Sequence, residues 1–266
     1  AIIAAVIGGT LITGGYGQLG IETATALARQ GARHLVLVGR DPSRAEGDPA
    51  LAGLREMGVR LTPLAADVGE RDSFLPRLAE CLRTLPPLKG VVHSAGSLDD
   101  GVLDEQDWER YRAVFAAKVA GTLNLHHALR EHVLDFFVLY SSAAALLGTP
   151  GQTNYAAANA FLDSFAAYRR GLGLAGLAIG WAGWAGGGMA AGQAEARAEA
   201  AIGLIPPEQG AEVIARQFAH RDGDFALVPM RLAALAGQER MPWLRPLLAE
   251  LIEAEAGVTV SAAAAR

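Results

Sequence analysis

Four side chains stand out by type and spacing. Tyr155 and Asn159 are four positions apart, separated only by Ala156, Ala157 and Ala158. Residues at that spacing share one face of a helix, and the small side chains between them would let a ligand lie close. Ser141-Ser142 ends a β-like run 13 positions before Tyr155, and the gap holds Gly148, Pro150 and Gly151, a loop composition. Lys118 is one of only two lysines, the other being Lys89. It falls in step with Trp108, Tyr111, Phe115, Thr122 and Leu125 at intervals of three and four, so it sits on the apolar stripe of a helix. An ammonium there costs free energy unless it is paired or snorkels to water. Snorkelling is the plain reading, and a working cation is the sharper one. A phenol ordinarily holds its proton to a pKa near 10, and a cation beside it lowers that value. Phenol, hydroxyl, ammonium and amide together could hold and protonate an oxygen that becomes negative.

The elements that must position them alternate. Leu11–Thr13, His34–Val38, Arg60–Leu64, Lys89–His93, Phe136–Tyr140, Leu174–Trp181 and Phe225–Val228 read as strands. Helical stretches fall between them, among them Gln18–Gln30, closed by Gly31, and a long one from about Asp107 to His132. Strands that are apolar nearly throughout, alternating with helices, predict an α/β fold. The expected form is a Rossmann-type doubly wound parallel sheet of about seven strands with helices on both faces. Residues 1–8 read as a leading linker or chain edge, 9–236 as the catalytic, nucleotide-binding domain, and 237–266 as an exit linker with a short amphipathic helix. Gly186-Gly187-Gly188 and the alanine-rich stretch to Ala201 read as a mobile lid containing a helix.

Thr13-Gly14-Gly15-Tyr16-Gly17-Gln18-Leu19-Gly20 follows the first strand and opens the first helix. Glycines there allow a tight turn against a pyrophosphate, which the helix N-terminus stabilises. Twenty positions beyond Gly20 stands Arg40 rather than an acid. Arginine pairs with a 2′-phosphate, so the expected cofactor is NADPH rather than NADH. Asp41 is the dissenting neighbour and could instead begin the next turn. Asp67-Val68, after the third strand, could meet the adenine amino group, and a helix cap explains Asp67 equally well.

Composition removes several classes. The 266 residues are 51% hydrophobic and 19% charged, with a net charge of -5, which suits a globular core and gives no basic stripe for nucleic acid. No run is long and apolar enough to span a membrane, and the start, Ala1–Ile12, lacks the basic flank of a signal peptide. The single cysteine, Cys81, reads as a helix core residue and fits a reducing cytoplasm. No metal site is expected, because His126 and His127 are adjacent and cannot share a helix face, which suggests a surface role for both.

From about Gly9 to Pro229 the chain resembles the short-chain dehydrogenase/reductase family, specifically the ketoreductase domains of modular polyketide and animal fatty acid synthases. The residues that carry the likeness are the glycine turn, His93-Ser94-Ala95-Gly96, Tyr140-Ser141-Ser142-Ala143-Ala144, Asn154-Tyr155-Ala156-Ala157-Ala158-Asn159-Ala160-Phe161-Leu162-Asp163, and Gly180-Trp181-Ala182-Gly183-Trp184 before Gly188-Met189. Most short-chain dehydrogenases have Tyr-x-x-x-Lys with an Asn on the preceding long helix. Synthase ketoreductases exchange the two, as Tyr155-x-x-x-Asn159 and Lys118 do here. Gln18 departs from the pattern, filling a position the family gives to glycine.

The resemblance implies NADPH-dependent reduction of a β-ketoacyl thioester held on the phosphopantetheine arm of an acyl carrier protein. It assigns catalysis to Lys118, Ser142, Tyr155 and Asn159, and adds Ser94, Ala95 and Gly96 to the cofactor site. Leu98-Asp99-Asp100 resembles the fingerprint of B-type ketoreductases, Pro150 agrees with it, and no tryptophan lies between Ser142 and Tyr155. These, with Met189, are the expected stereocontrol residues, and a D-configured alcohol is the expected product. Neighbouring synthase domains and a structural subdomain are the implied partners. The subdomain itself is expected to lie outside this chain, which starts about a dozen residues before the glycine turn. Two rivals are a free-standing short-chain dehydrogenase for a small ketone and a redox-silent or epimerising domain on the same fold.

Overall fold

The structure, a computed structural model, describes residues 8–45, 47–187, 189, 201–217, 223–236 and 243–254. Seven strands form one parallel sheet: β1 (Gly9–Thr13), β2 (His34–Gly39), β3 (Arg60–Ala65), β4 (Leu88–His93), β5 (Phe136–Ser142), β6 (Leu177–Trp181) and β7 (Phe225–Leu227), in the order 3-2-1-4-5-6-7. The order reverses between β1 and β4, so their C-terminal ends open a crevice, the place where such sheets bind ligands.

Side-chain alternation along the strands builds two cores. Leu11, Val36, Val91, Phe137 and Leu139 face one layer, and Ile12, Leu35, Leu37, Val92, Val138 and Tyr140 face the other. Helices α1 (Gln18–Arg29), α2 (Pro49–Glu56) and α8 (Pro207–Gln217) cover the second face. The first face is covered by α3 (Arg71–Arg83), α5 (Gly121–Leu129) and α7 (Thr153–Gly171), while α4 (Trp108–Phe115) packs on α7 through Val114. The short α6 (Ala143–Leu147) follows β5 directly, and α9 (Leu232–Ala236) and α10 (Leu244–Leu247) come last.

Two expectations are corrected here. The long helix is broken: α4 and α5 are joined by a π-helical turn, Ala116–Ala120, whose wider winding shifts the phase of the apolar stripe. Trp108 therefore turns outward at 62% exposure, while Val114, Lys118, Thr122 and Leu125 face inward. His126 is not on the surface. It is buried, and its Nδ1 accepts from Arg169 Nη1 at 2.7 Å, while the Arg169 guanidinium lies 3.8 Å from the Phe137 ring centre. Burial, and then Arg169, holds the His126 pKa below its ordinary value, so the imidazole stays neutral and can accept. In the last segment, expected as an exit linker with a short amphipathic helix, Leu244 and Leu248 are buried against Ala143 and Leu147 of α6. Of the lid expected from Gly186 to Ala201, residues 188 and 190–200 lie outside the described residues.

Candidate active site

Each functional side chain is set by a different element, and the crevice gathers them. β5 ends in Ser141-Ser142, and Ser142 is the N-cap of α6, its Oγ accepting from the Ala144 amide at 3.2 Å. Tyr155 lies in the first turn of α7 and is buried. Lys118, 3% exposed, sits on the π turn. Its Nζ donates to the Tyr140 carbonyl at 2.9 Å and stands 5.3 Å from the centre of the Tyr155 ring. Neither cation nor phenol snorkels. Lys118, Ser142 and Tyr155 line one cavity of about 310 Å³ together with Leu19, Ser94, Leu98, Pro150 and Met189. Leu19 and Ser94 come from the glycine turn and the β4 exit, so cofactor and catalytic candidates share a wall.

Electrostatics follow from burial. Desolvation pulls Lys118 down to about 7, opposed by the Asp163 carboxylate. Desolvation raises the Tyr155 phenol above its usual value, opposed by the polar Ser142 and Asn159 side chains nearby. The sequence suggests a phenol depressed by the lysine. Instead Nζ lies near the ring and bonds a backbone carbonyl, and the phenol is kept protonated. Asn159 is fully buried. Its Nδ2 donates to the Tyr155 carbonyl at 2.7 Å, and its Oδ1 is buried without a partner, an acceptor left for a nearby donor.

None of the three alanines lines the cavity: Ala158 packs with Val114, Ala144 and Tyr155, and Ala157 is exposed.

The glycine turn fits a dinucleotide. Gly14 has φ +68°, and a Cβ on it would come within 2.9 Å of the Ser94 and Ala95 backbone. A Cβ on Gly20 would overlap the Gly14 carbonyl and the Gly15 backbone, so helix α1 can start only with glycine there. Thr13 binds the next strand through its carbonyl, which accepts from Ser94 Oγ at 2.7 Å. Gly17 accompanies the turn with its amide on Gly14 O. Tyr16 packs its ring on Gly39 and donates to the Leu37 carbonyl at 3.1 Å. Arg40 is exposed just past β2, free for an anion. Asp41 Oδ1 accepts from the Ser43 amide at 3.1 Å and starts the next turn. Asp67 Oδ1 accepts from the Gly69 amide at 2.9 Å, so a turn role accounts for it, while Val68 is core.

Asp99 and Asp100 do not line the cavity; only Leu98 of that triplet does. Asp99 pairs with Arg110 at 2.6 Å, and Asp100 accepts from Gln152 Nε2 at 2.9 Å. Asn154 Nδ2 donates to the Asp99 carbonyl at 2.8 Å, tying the loop to the residue before Tyr155. Sequence reading gives no role to Arg110 or Gln152, and quotes Asn154 and His93 only within motifs. That imidazole joins Thr13 Oγ1 at 2.5 Å to the Ala117 carbonyl at 3.1 Å, linking β1 to the π turn. Burial pushes its pKa down to about 3. The one signal for it was its place in His93-Ser94-Ala95-Gly96. Among the described residues no group of three or more His, Cys, Asp and Glu could hold a metal, and no helix is long and apolar enough to cross a membrane.

The family model for the KR domain matches residues 8–186. The chain belongs to the polyketide synthase KR domain family. It is 49% identical over 191 residues to the spectinabilin polyketide synthase system protein NorB of Streptomyces orinoci, covering 69% of this chain and 9% of that protein. It is 47% identical over 184 residues to the phenolphthiocerol synthesis polyketide synthase type I Pks15/1 of Mycobacterium marinum, covering 68% and 9%. A solved structure of A-type ketoreductases from a modular polyketide synthase superposes with a TM-score of 0.79 at 36% identity, covering 87% of this chain and 50% of that one. This KR domain chain thus spans about a tenth of the synthases it matches and half of the solved chain.

Proposed function

We propose that this KR domain reduces a β-ketoacyl thioester, carried on the phosphopantetheine arm of an acyl carrier protein, to a D-β-hydroxyacyl thioester at the expense of NADPH. The observation that carries this is the shared cavity: a buried ammonium over the face of a buried phenol, with a serine hydroxyl beside it and the glycine turn forming the adjoining wall. Bound NADPH would supply the hydride, and negative charge would then develop on the carbonyl oxygen. Tyr155, kept protonated by burial, delivers its hydroxyl proton to that oxygen, and Ser142 Oγ donates a second hydrogen bond. Lys118 Nζ, near the ring, favours the phenolate that is left. Asn159 Oδ1 is an acceptor placed to orient the ammonium or a relay water. Thr13 to Gly20, with Ser94, Ala95 and Gly96, cradle the dinucleotide, and Arg40 meets its 2′-phosphate.

Tyr155→Phe is expected to lower turnover by about a hundredfold or more while NADPH still binds. Retained turnover in a thioester assay that follows NADPH absorbance sinks the assignment. The D configuration rests on Leu98-Asp99-Asp100, on Pro150, and on the lack of tryptophan between Ser142 and Tyr155. The A-type likeness concerns the shared fold and leaves those residues as the argument. Chiral chromatography of the alcohol from a short β-ketoacyl thioester should give the D isomer, and an L product overturns that half of the reading.

A further inference from the structure

Gln18 occupies a position the glycine-turn pattern leaves without a side chain, and its amide has an unusual setting. Nε2 donates to the Ala185 carbonyl at 2.9 Å, across 167 positions of sequence. Oε1 is buried and has no partner. Gly186 and Gly187 pass close by, since a Cβ on Gly187 would lie 3.2 Å from that Oε1 and one on Gly186 3.7 Å from Nε2. The Ala185 peptide is held on its other side as well, its amide donating to the Ile205 carbonyl at 2.9 Å. Gly183, Trp184 and Gly187 of this β6-exit segment line the cavity that also holds Tyr155, Ser142 and Leu19. Gln18 therefore bridges the crevice between the phosphate-side turn and the segment facing the reacting centre.

We propose that Gln18 is a positioning residue for the nicotinamide half of the cofactor. Its Nε2 fixes the β6-exit segment at the spacing a bound nucleotide requires. Gln18 itself does not line the cavity, so it acts on the nucleotide through the segment it holds. This rests on the NADPH reading above. The position is suited to the task because Gln18 opens helix α1, whose backbone faces the pyrophosphate, so its side chain leaves the turn toward the ring end rather than the adenine end.

The test compares the protein with Q18M, which keeps volume and helix propensity but removes both amide atoms. Q18G, the residue the family pattern expects, serves as a second variant. Two ligands are titrated by fluorescence: NADPH, and adenosine 2′,5′-bisphosphate, which lacks the nicotinamide half. Both variants should bind NADPH about tenfold more weakly, the order expected for loss of one hydrogen bond, and release it faster in stopped flow. Affinity for the bisphosphate and the thermal midpoint should stay unchanged. Unaltered NADPH affinity in Q18M, or equal weakening for both ligands, overturns the proposal. A parent protein that fails to bind NADPH overturns the cofactor reading instead, so the two failures are told apart.

Discussion

Lys118 shows how a functional group is bought against the fold. Its ammonium is buried with one hydrogen bond, to a backbone carbonyl, and the Asp163 carboxylate gives only distant support. The native pKa, about 7, lies below the ordinary 10.5, so folding favours the neutral amine. A base depressed in this way lends stability above its unfolded pKa and loses it as pH falls through the interval from about 10.5 to about 7. Lys118→Met should therefore stabilise the protein at pH 7 by on the order of a few kcal/mol, with a gain that shrinks toward pH 10, while turnover collapses. Urea midpoints at pH 7 and pH 9.5 decide it, and equal gains at both would mean the residue carries no charge cost. That the lysine is out of place was legible in the sequence, because its stripe is apolar. What it faces was not, since the Tyr140 carbonyl and the Tyr155 ring arrive from two other elements.

At the scale of elements, the π turn and the loop after β4 decide how the site is shaped. The spacing around Lys118 reads as one continuous helix, because side-chain type carries no signal for a single wider turn. Likewise Leu98-Asp99-Asp100 reads only as a resemblance to the B-type fingerprint, and its fasteners are hidden. Arg110 on α4 bonds Asp99 Oδ1 through Nε at 2.8 Å and the Asp100 carbonyl through Nη2 at 2.7 Å, while Gln152 and Asn154 hold the same loop from the start of α7. The two acids are thus tied into the loop that carries Leu98 to the cavity wall. Arg110→Ala should free the loop and lower the stereochemical purity of the alcohol, with rates on a small thioester reduced less than the purity. Chiral analysis of the variant's product checks this, and an unchanged isomer ratio would show that the loop holds its place without the arginine.

For the molecule as a whole, the sheet was readable end to end. Seven expected runs became seven strands of a doubly wound sheet, and the five inner ones are buried parallel strands, whose pattern tertiary contacts seldom override. Where the chain leaves that regular core, legibility fades. The segment after the last strand reads as a linker, since a few leucines among alanines and glutamates do not say what they pack on. In the structure, Leu244 (1% exposed) and Leu248 close over Ala143 and Leu147 of α6, and Trp243 Nε1 donates to the Leu147 carbonyl at 2.6 Å. Because Ser142 caps α6 and Leu147 lines the cavity, this terminal segment supports the catalytic wall from behind. Leu244→Ala should cost about 2 kcal/mol, at the low end for a buried leucine in a small satellite cluster. The damage should be local. Thioester KM should rise and turnover fall, while NADPH affinity, whose proposed residues lie away from α10, should hold. Equal losses in NADPH and thioester binding would mean that the segment stabilises the whole sheet rather than the wall behind Ser142.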